Sequence, residues 1–71
     1  MPSIFRAEYR KFLNRLKAAR MEAGLTQVEV AQRLGKPQSF ISKSESGERR
    51  VDVVELGHFA EIYQKPVTYF L

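Results

Sequence analysis

The sequence predicts an all-α fold of five short helices, and three observations carry that expectation. Apolar residues recur at helical spacing in successive windows. Those windows are separated by glycine, proline and polar N-cap residues, the usual stop and start signals of helices. No stretch alternates with period two for long enough to make a strand.

The first helix is expected from about Phe5 to Ala23. Phe5, Tyr9, Phe12, Leu13, Leu16 and Ala19 recur along it, with Arg6, Arg10, Lys11, Arg15 and Lys17 between them. Gly24 ends it as a C-terminal cap. Thr26 then supplies an N-cap hydroxyl with Glu29 three residues on, a capping box. The second helix is Gln27 to Leu34, with Val30, Ala31 and Leu34 inward. Gly35 stops it where a left-handed conformation costs little.

Pro37 cannot continue a helix but can stand at the start of one. The third helix runs from Gln38 to about Glu45, with Ile41 as its inward anchor. Ser46-Gly47 breaks the chain, and Glu48-Arg49-Arg50 form an exposed loop. Asp52 and Glu55 make a second capping box at the head of a fourth helix, Val53 to about Tyr63. Its inward set is Val53, Leu56, Phe59, Ala60 and Tyr63. Pro66 ends any continuation, and Val67 to Leu71 form a last short turn or helix.

The length of 71 residues fits one domain, 1–71, near the lower limit for an unassisted core. With 44% hydrophobic residues that core is modest. The chain has no cysteine, which excludes disulfide staples and thiolate metal sites and fits a reducing compartment. No apolar run approaches a membrane span, and the N-terminus lacks a signal-peptide core. A soluble cytoplasmic protein is expected.

Charge is uneven. Residues 1–50 hold 11 Lys/Arg against 5 Asp/Glu, whereas residues 51–71 hold Lys65 against Asp52, Glu55 and Glu61. A basic front with a mildly acidic back suits a polyanion on one face, or else is a solvated surface of uneven charge. The stretch Thr26 to Glu48, TQVEVAQRLGKPQSFISKSESGE, points the same way. It reads as two amphipathic helices around a glycine turn, the second opening with small polar side chains. Such a helix fits the major groove of DNA.

These residues resemble the phage repressor/Cro (XRE) family of helix-turn-helix regulators. The signature G-L-T-Q-x-x-x-A-x-x-L-G runs from Gly24 to Gly35, and I-S-K-x-E-x-G follows from Ile41 to Gly47. The likeness covers roughly Leu16 to Phe70. It implies a lambda-repressor-like domain with its helix-turn-helix at 26–46 and double-stranded DNA as partner. Ala31, at the crossing of the motif's two helices, and Val30, Leu34 and Ile41 are packing residues on this reading.

Function carries over to other positions. The resemblance implies phosphate contact at Gln27, where a helix N-terminus adds its dipole, and base reading at Gln38, Ser39, Ser42 and Lys43. Gln38 is the sharpest candidate, because glutamine pairs bidentately with adenine N6 and N7. Lys43 could donate to guanine O6/N7 or reach a phosphate. Arg49, Arg50 and Lys36 are further phosphate candidates, with a solvated loop as the competing reading for both arginines. Arg6, Arg10, Arg15 and Lys17 are expected to keep the first helix soluble. The resemblance also implies a structural ion pair between Arg20 and Glu45.

Three positions depart from the family's pattern. Lys36 and Ser44 stand where apolar residues are usual, and Gln64 stands where a helix-ending glycine is common. Phe40 is a large apolar residue on a face expected to be exposed; it is read as partly buried, with thymine methyl groups as an alternative contact.

A homodimeric repressor on a partly palindromic operator is the expected role. The apolar tail 66–71, with Val67, Tyr69, Phe70 and Leu71, is the candidate two-fold contact, with His58, Phe59 and Ile62 alongside. Closure of the monomer's own core is the alternative use of that tail. Control of a restriction-modification operon is a second biological setting, and an antitoxin that neutralises a toxin protein is a third. An enzyme is not expected: the chain has one histidine, His58, and no glycine-rich phosphate loop. No cofactor and no metal are implied.

Overall fold

The computed structural model describes residues 6–71. It contains four α-helices: α1 (Arg6–Glu22), α2 (Gln27–Leu34), α3 (Gln38–Ser46) and α4 (Val53–Tyr63). The expected fifth helix is a single 3-10 turn, Val67–Phe70, anchored by Tyr69 N–H donating to Pro66 O at 2.9 Å. Leu71 N–H likewise donates to Thr68 O at 3.2 Å, so both bonds span three residues, the tighter 3-10 pattern. No strand occurs among the described residues. Phe5, expected in the stripe of the first helix, lies outside them.

Local chemistry sets the boundaries. Thr26 Oγ1 accepts from Glu29 N–H at 3.1 Å, and the Glu29 carboxylate accepts from Thr26 N–H at 2.9 Å. Asp52 and Glu55 repeat the arrangement at the head of α4. Three helices end in the same reversal. After α1, Leu25 N–H reaches Arg20 O; after α2, Lys36 N–H reaches Ala31 O; after α4, Lys65 N–H reaches Ala60 O. Gly24 and Gly35 take the left-handed position in the first two. Gln64 takes it in the third, with φ 55°.

Gly47 ends α3 at φ 86°, and a Cβ there would stand 2.9 Å from Leu13 Cδ1. The left-handed conformation is what favours glycine at that break, since the Leu13 methyl ends a flexible side chain that can turn aside.

α2 and α3 make the closest pairing, with α1 crossing α3 and touching α4 and the terminal turn. Leu16, Ala19, Val30, Ala31, Ile41, Leu56, Phe59, Ala60, Tyr63 and Phe70 form the buried core. Ala31 is buried where α2 meets α3, and its small side chain allows the close approach. Ser44 is also buried; its hydroxyl donates to Phe40 O at 2.7 Å, which satisfies it inside the helix. Phe40 stays half-buried beside it.

One inward assignment is corrected. Val53 is 80% exposed. It occupies the first turn of α4, which projects past the core, and burial begins one turn later at Leu56.

Candidate nucleic-acid interface

α3 buries Ile41 and Ser44 and leaves Gln38, Ser39, Ser42 and Lys43 on its outer side. Helical spacing puts these four on one stripe. Gln38, Ser39 and Lys43 are exposed, and Ser42 is half-buried with its hydroxyl donating to Ser39 O at 3.3 Å. The two serines keep the stripe low, so that Gln38 and Lys43 stand out from it.

Behind Gln38 runs a connected set of polar groups. Gln38 Nε2 donates to Gln27 Oε1 at 3.2 Å, and Gln27 Nε2 donates to Glu45 Oε1 at 3.2 Å. Glu45 also receives Arg20 Nε on Oε2 at 2.6 Å and Arg20 Nη2 on Oε1 at 3.2 Å. Arg20 Nη1 donates to Leu25 O at 2.9 Å. The two charged side chains are 12% and 6% exposed. Hydrogen bonding to Glu45, foremost, raises the Arg20 pKa above its already high ordinary value, against desolvation. The Tyr63 phenol is pushed up chiefly by burial and secondly by the charge of Glu45. α1, α2 and α3 thus meet at one ion pair, and two glutamines extend it to the surface.

Gln27 is half-buried at the first turn of α2. The capping box engages Glu29 N–H there, leaving the preceding amides of that turn outside it.

The loop cations have partners that the sequence did not reveal. Arg49 grips the Glu55 carboxylate, and its guanidinium lies 4.1 Å from the centre of the Phe40 ring. Arg50 is exposed and lies 4.3 Å from the Tyr9 ring centre. Tyr9 in turn accepts Val51 N–H at 3.1 Å, tying the loop to α1. Lys36 is exposed, with its ammonium 5.4 Å from the Phe40 ring centre. Phe40 is therefore a platform for two cations. A pairing between Arg49 and Glu55 has no helical periodicity to betray it, since the residues lie on opposite sides of a break.

The tail divides. Phe70 is 1% exposed and belongs to the monomer core, so it is withdrawn from any surface contact. Phe59 is likewise buried, stacked on Tyr63 with ring centres 5.9 Å apart. Tyr69 is half-buried, donates through its hydroxyl to Glu22 at 3.1 Å, and offers its carbonyl to Arg15 Nη1 at 2.6 Å. Arg15 is thus a tail anchor as well as a solubilising charge. Val67 and Leu71 remain exposed.

No group of histidine, cysteine, aspartate and glutamate residues that could hold a metal occurs among the described residues. No helix among them is long and apolar enough to cross a membrane.

Known proteins agree with this geometry. The family model described as helix-turn-helix matches residues 16–70. No curated protein matches the chain. Among solved structures, the chain is similar to an XRE-family like protein from Pseudomonas syringae pv. tomato str. DC3000, at 45% identity and TM-score 0.87. That match covers 94% of this chain and 82% of the other. With the motif's two helices, its buried ion pair and its polar outer stripe in place, the chain belongs to the Cro/C1-type (XRE) helix-turn-helix family of DNA-binding transcriptional regulators.

Proposed function

We propose that this protein is a homodimeric repressor that binds a partly palindromic operator, with α3 lying in the major groove. The observation that carries this reading is the Gln27–Gln38 hydrogen bond at the exposed end of α3. It ties down one glutamine amide at the start of a helix whose neighbouring outer residues are two serines. Gln38 reads adenine through N6 and N7, Lys43 reaches guanine or a phosphate, and Ser39 and Ser42 allow close approach. Gln27, Lys36 and Arg50 contact phosphates and set the register. Arg49 holds Phe40 and α4 in place, which supports a bracing role for it at the DNA face.

One α3 makes few base contacts, so two half-sites raise both affinity and specificity. In dimers of this motif they lie about one helical turn apart, roughly 34–36 Å. The exposed apolar side chains at the head of α4 and in the tail, Val53, Val54, Val67 and Leu71, support a two-fold contact there. Repression follows if the bound dimer simply occupies a promoter.

Selection of bound duplexes from a random DNA pool at near-physiological salt tests the reading. A two-fold symmetric motif with half-sites about one turn apart is the expected result. Binding without a motif, vanishing as salt rises, would reduce the interaction to phosphate attraction and bring forward a protein partner such as a toxin.

A further inference from the structure

We propose that the buried Arg20–Glu45 ion pair sets which atoms of the Gln38 amide face the DNA, and so sets the base that Gln38 prefers. The inference rests on the assignment of Gln38 as a base reader and deepens it. Arg20 and Glu45 act here as positioning residues, since neither reaches the outer stripe of α3.

The argument is one of donor and acceptor polarity. A guanidinium only donates hydrogen bonds, and a carboxylate only accepts them. Arg20 fills both oxygens of Glu45 and is itself anchored on Leu25 O, so the carboxylate cannot swing away. Gln27 touches Glu45 Oε1, and only its NH2 can make that bond. The reversed amide would set two acceptors against each other with no proton between them. Glutamine amide orientation is decided by its network, and here the network leaves one choice.

That choice propagates. With its NH2 on Glu45, Gln27 turns Oε1 toward Gln38 and accepts from Gln38 Nε2. One N–H of Gln38 is then engaged. The carbonyl oxygen and the second N–H remain for a ligand. One acceptor beside one donor is the complement of adenine, which offers N6–H2 and N7. Were the sequence of amides reversed, Gln38 would lead with two donors, the complement of guanine O6 and N7. A charge pair in the interior thereby biases base choice at the surface, through four side chains on three helices.

Three variants test this by the ratio of adenine to guanine recovered at the Gln38-dependent position of the selected motif. Glu45→Gln keeps the size of the side chain but provides an NH2 that lets both surface amides reverse. The adenine-to-guanine ratio is expected to fall roughly 3- to 10-fold, the span that one net hydrogen bond supports. Gln27→Met cuts the relay while leaving the ion pair intact, and the same fall is expected. It also keeps the test open should Glu45→Gln fail to fold. The double variant Gln27→Glu/Glu45→Gln places an acceptor-only carboxylate directly beside Gln38, and the adenine preference is expected to return.

A purely structural role would lower binding to all duplexes alike and leave that ratio unmoved. Unchanged ratios in folded Gln27→Met or Glu45→Gln protein therefore overturn the inference while Gln38 keeps its role. If Gln38→Ala selects the same motif as the wild type, the base-reading assignment itself fails, and the inference falls with it.

Discussion

Arg49 holds Glu55 with both ends of its guanidinium, Nη1 donating to Oε1 at 2.8 Å and Nη2 donating to Oε2. The pair joins the loop after α3 to the capping box of α4, because Glu55 Oε1 also accepts Asp52 N–H at 3.1 Å. One carboxylate therefore closes a helix cap and seats the cation that covers Phe40. The hydrogen bond from Arg49, foremost, holds the Glu55 carboxyl below the ordinary carboxylate range, helped by the Asp52 amide.

A pH dependence follows from that shift. The folded pKa of Glu55 lies below its unfolded value, so its stabilisation is complete above the unfolded value of about 4.3 and is lost as pH falls through the folded one. Glu55→Gln should melt lower than wild type near neutral pH, and the gap should narrow as pH drops below about 4.3. Thermal melts followed by circular dichroism across the acid range check this. A constant gap would assign the effect to packing alone.

Removing one partner of the interior pair should be costly. Arg20→Met leaves the Glu45 carboxylate buried with only Gln27 to solvate it and strips Leu25 O of its donor. A loss of about 3–5 kcal/mol is expected from urea unfolding. A loss below about 1 kcal/mol would mean that water reaches Glu45 freely.

Gln64 closes α4 in a left-handed conformation that costs a residue with a Cβ roughly 1–2 kcal/mol. Gln64→Gly relieves that cost and gives back part of it as unfolded-chain entropy. A net gain of about 0.5–1 kcal/mol is expected in chemical denaturation. Destabilisation would show that the Gln64 side chain contributes contacts of its own.

The tail should split in its response to truncation. Phe70→Ala empties a fully buried ring site and is expected to cost about 3–5 kcal/mol. Leu71→Ala removes an exposed side chain and should change monomer stability by less than about 0.5 kcal/mol. Under the proposed two-fold contact, Leu71→Ala would instead weaken self-association, which sedimentation equilibrium reads directly.

Arg50 and Arg49 should differ at the DNA. Arg50 is exposed with no carboxylate partner among the described residues, whereas Arg49 already neutralises Glu55. Arg50→Ala is expected to reduce the slope of log K against log salt by about 0.9, one phosphate contact. Arg49→Ala should alter that slope less and lower the melting temperature more. Equal slope changes would return Arg49 to the phosphate-binding set.

The helices and their ends were legible along the chain because their causes are local. Thr26 with Glu29, Asp52 with Glu55, Gly24 and Gly35 each act within one turn, so spacing alone locates them. α2 accordingly spans the residues expected of it. The motif from Gly24 to Gly47 made the family readable for the same reason: it is a run of short-range signals in fixed order. Tertiary structure decided what those signals cannot encode. Whether Val53 or Leu56 begins the buried stripe depends on where α4 overhangs the core. Phe70 rather than Leu71 enters that core because the 3-10 turn aims one ring inward. Arg49 meets Glu55, and Gln38 joins Gln27 and Glu45, only once α1, α2, α3 and α4 have packed. Hydrogen bonds act over about 3 Å, so such partners are set by where the fold brings side chains together, and no sequence spacing records that.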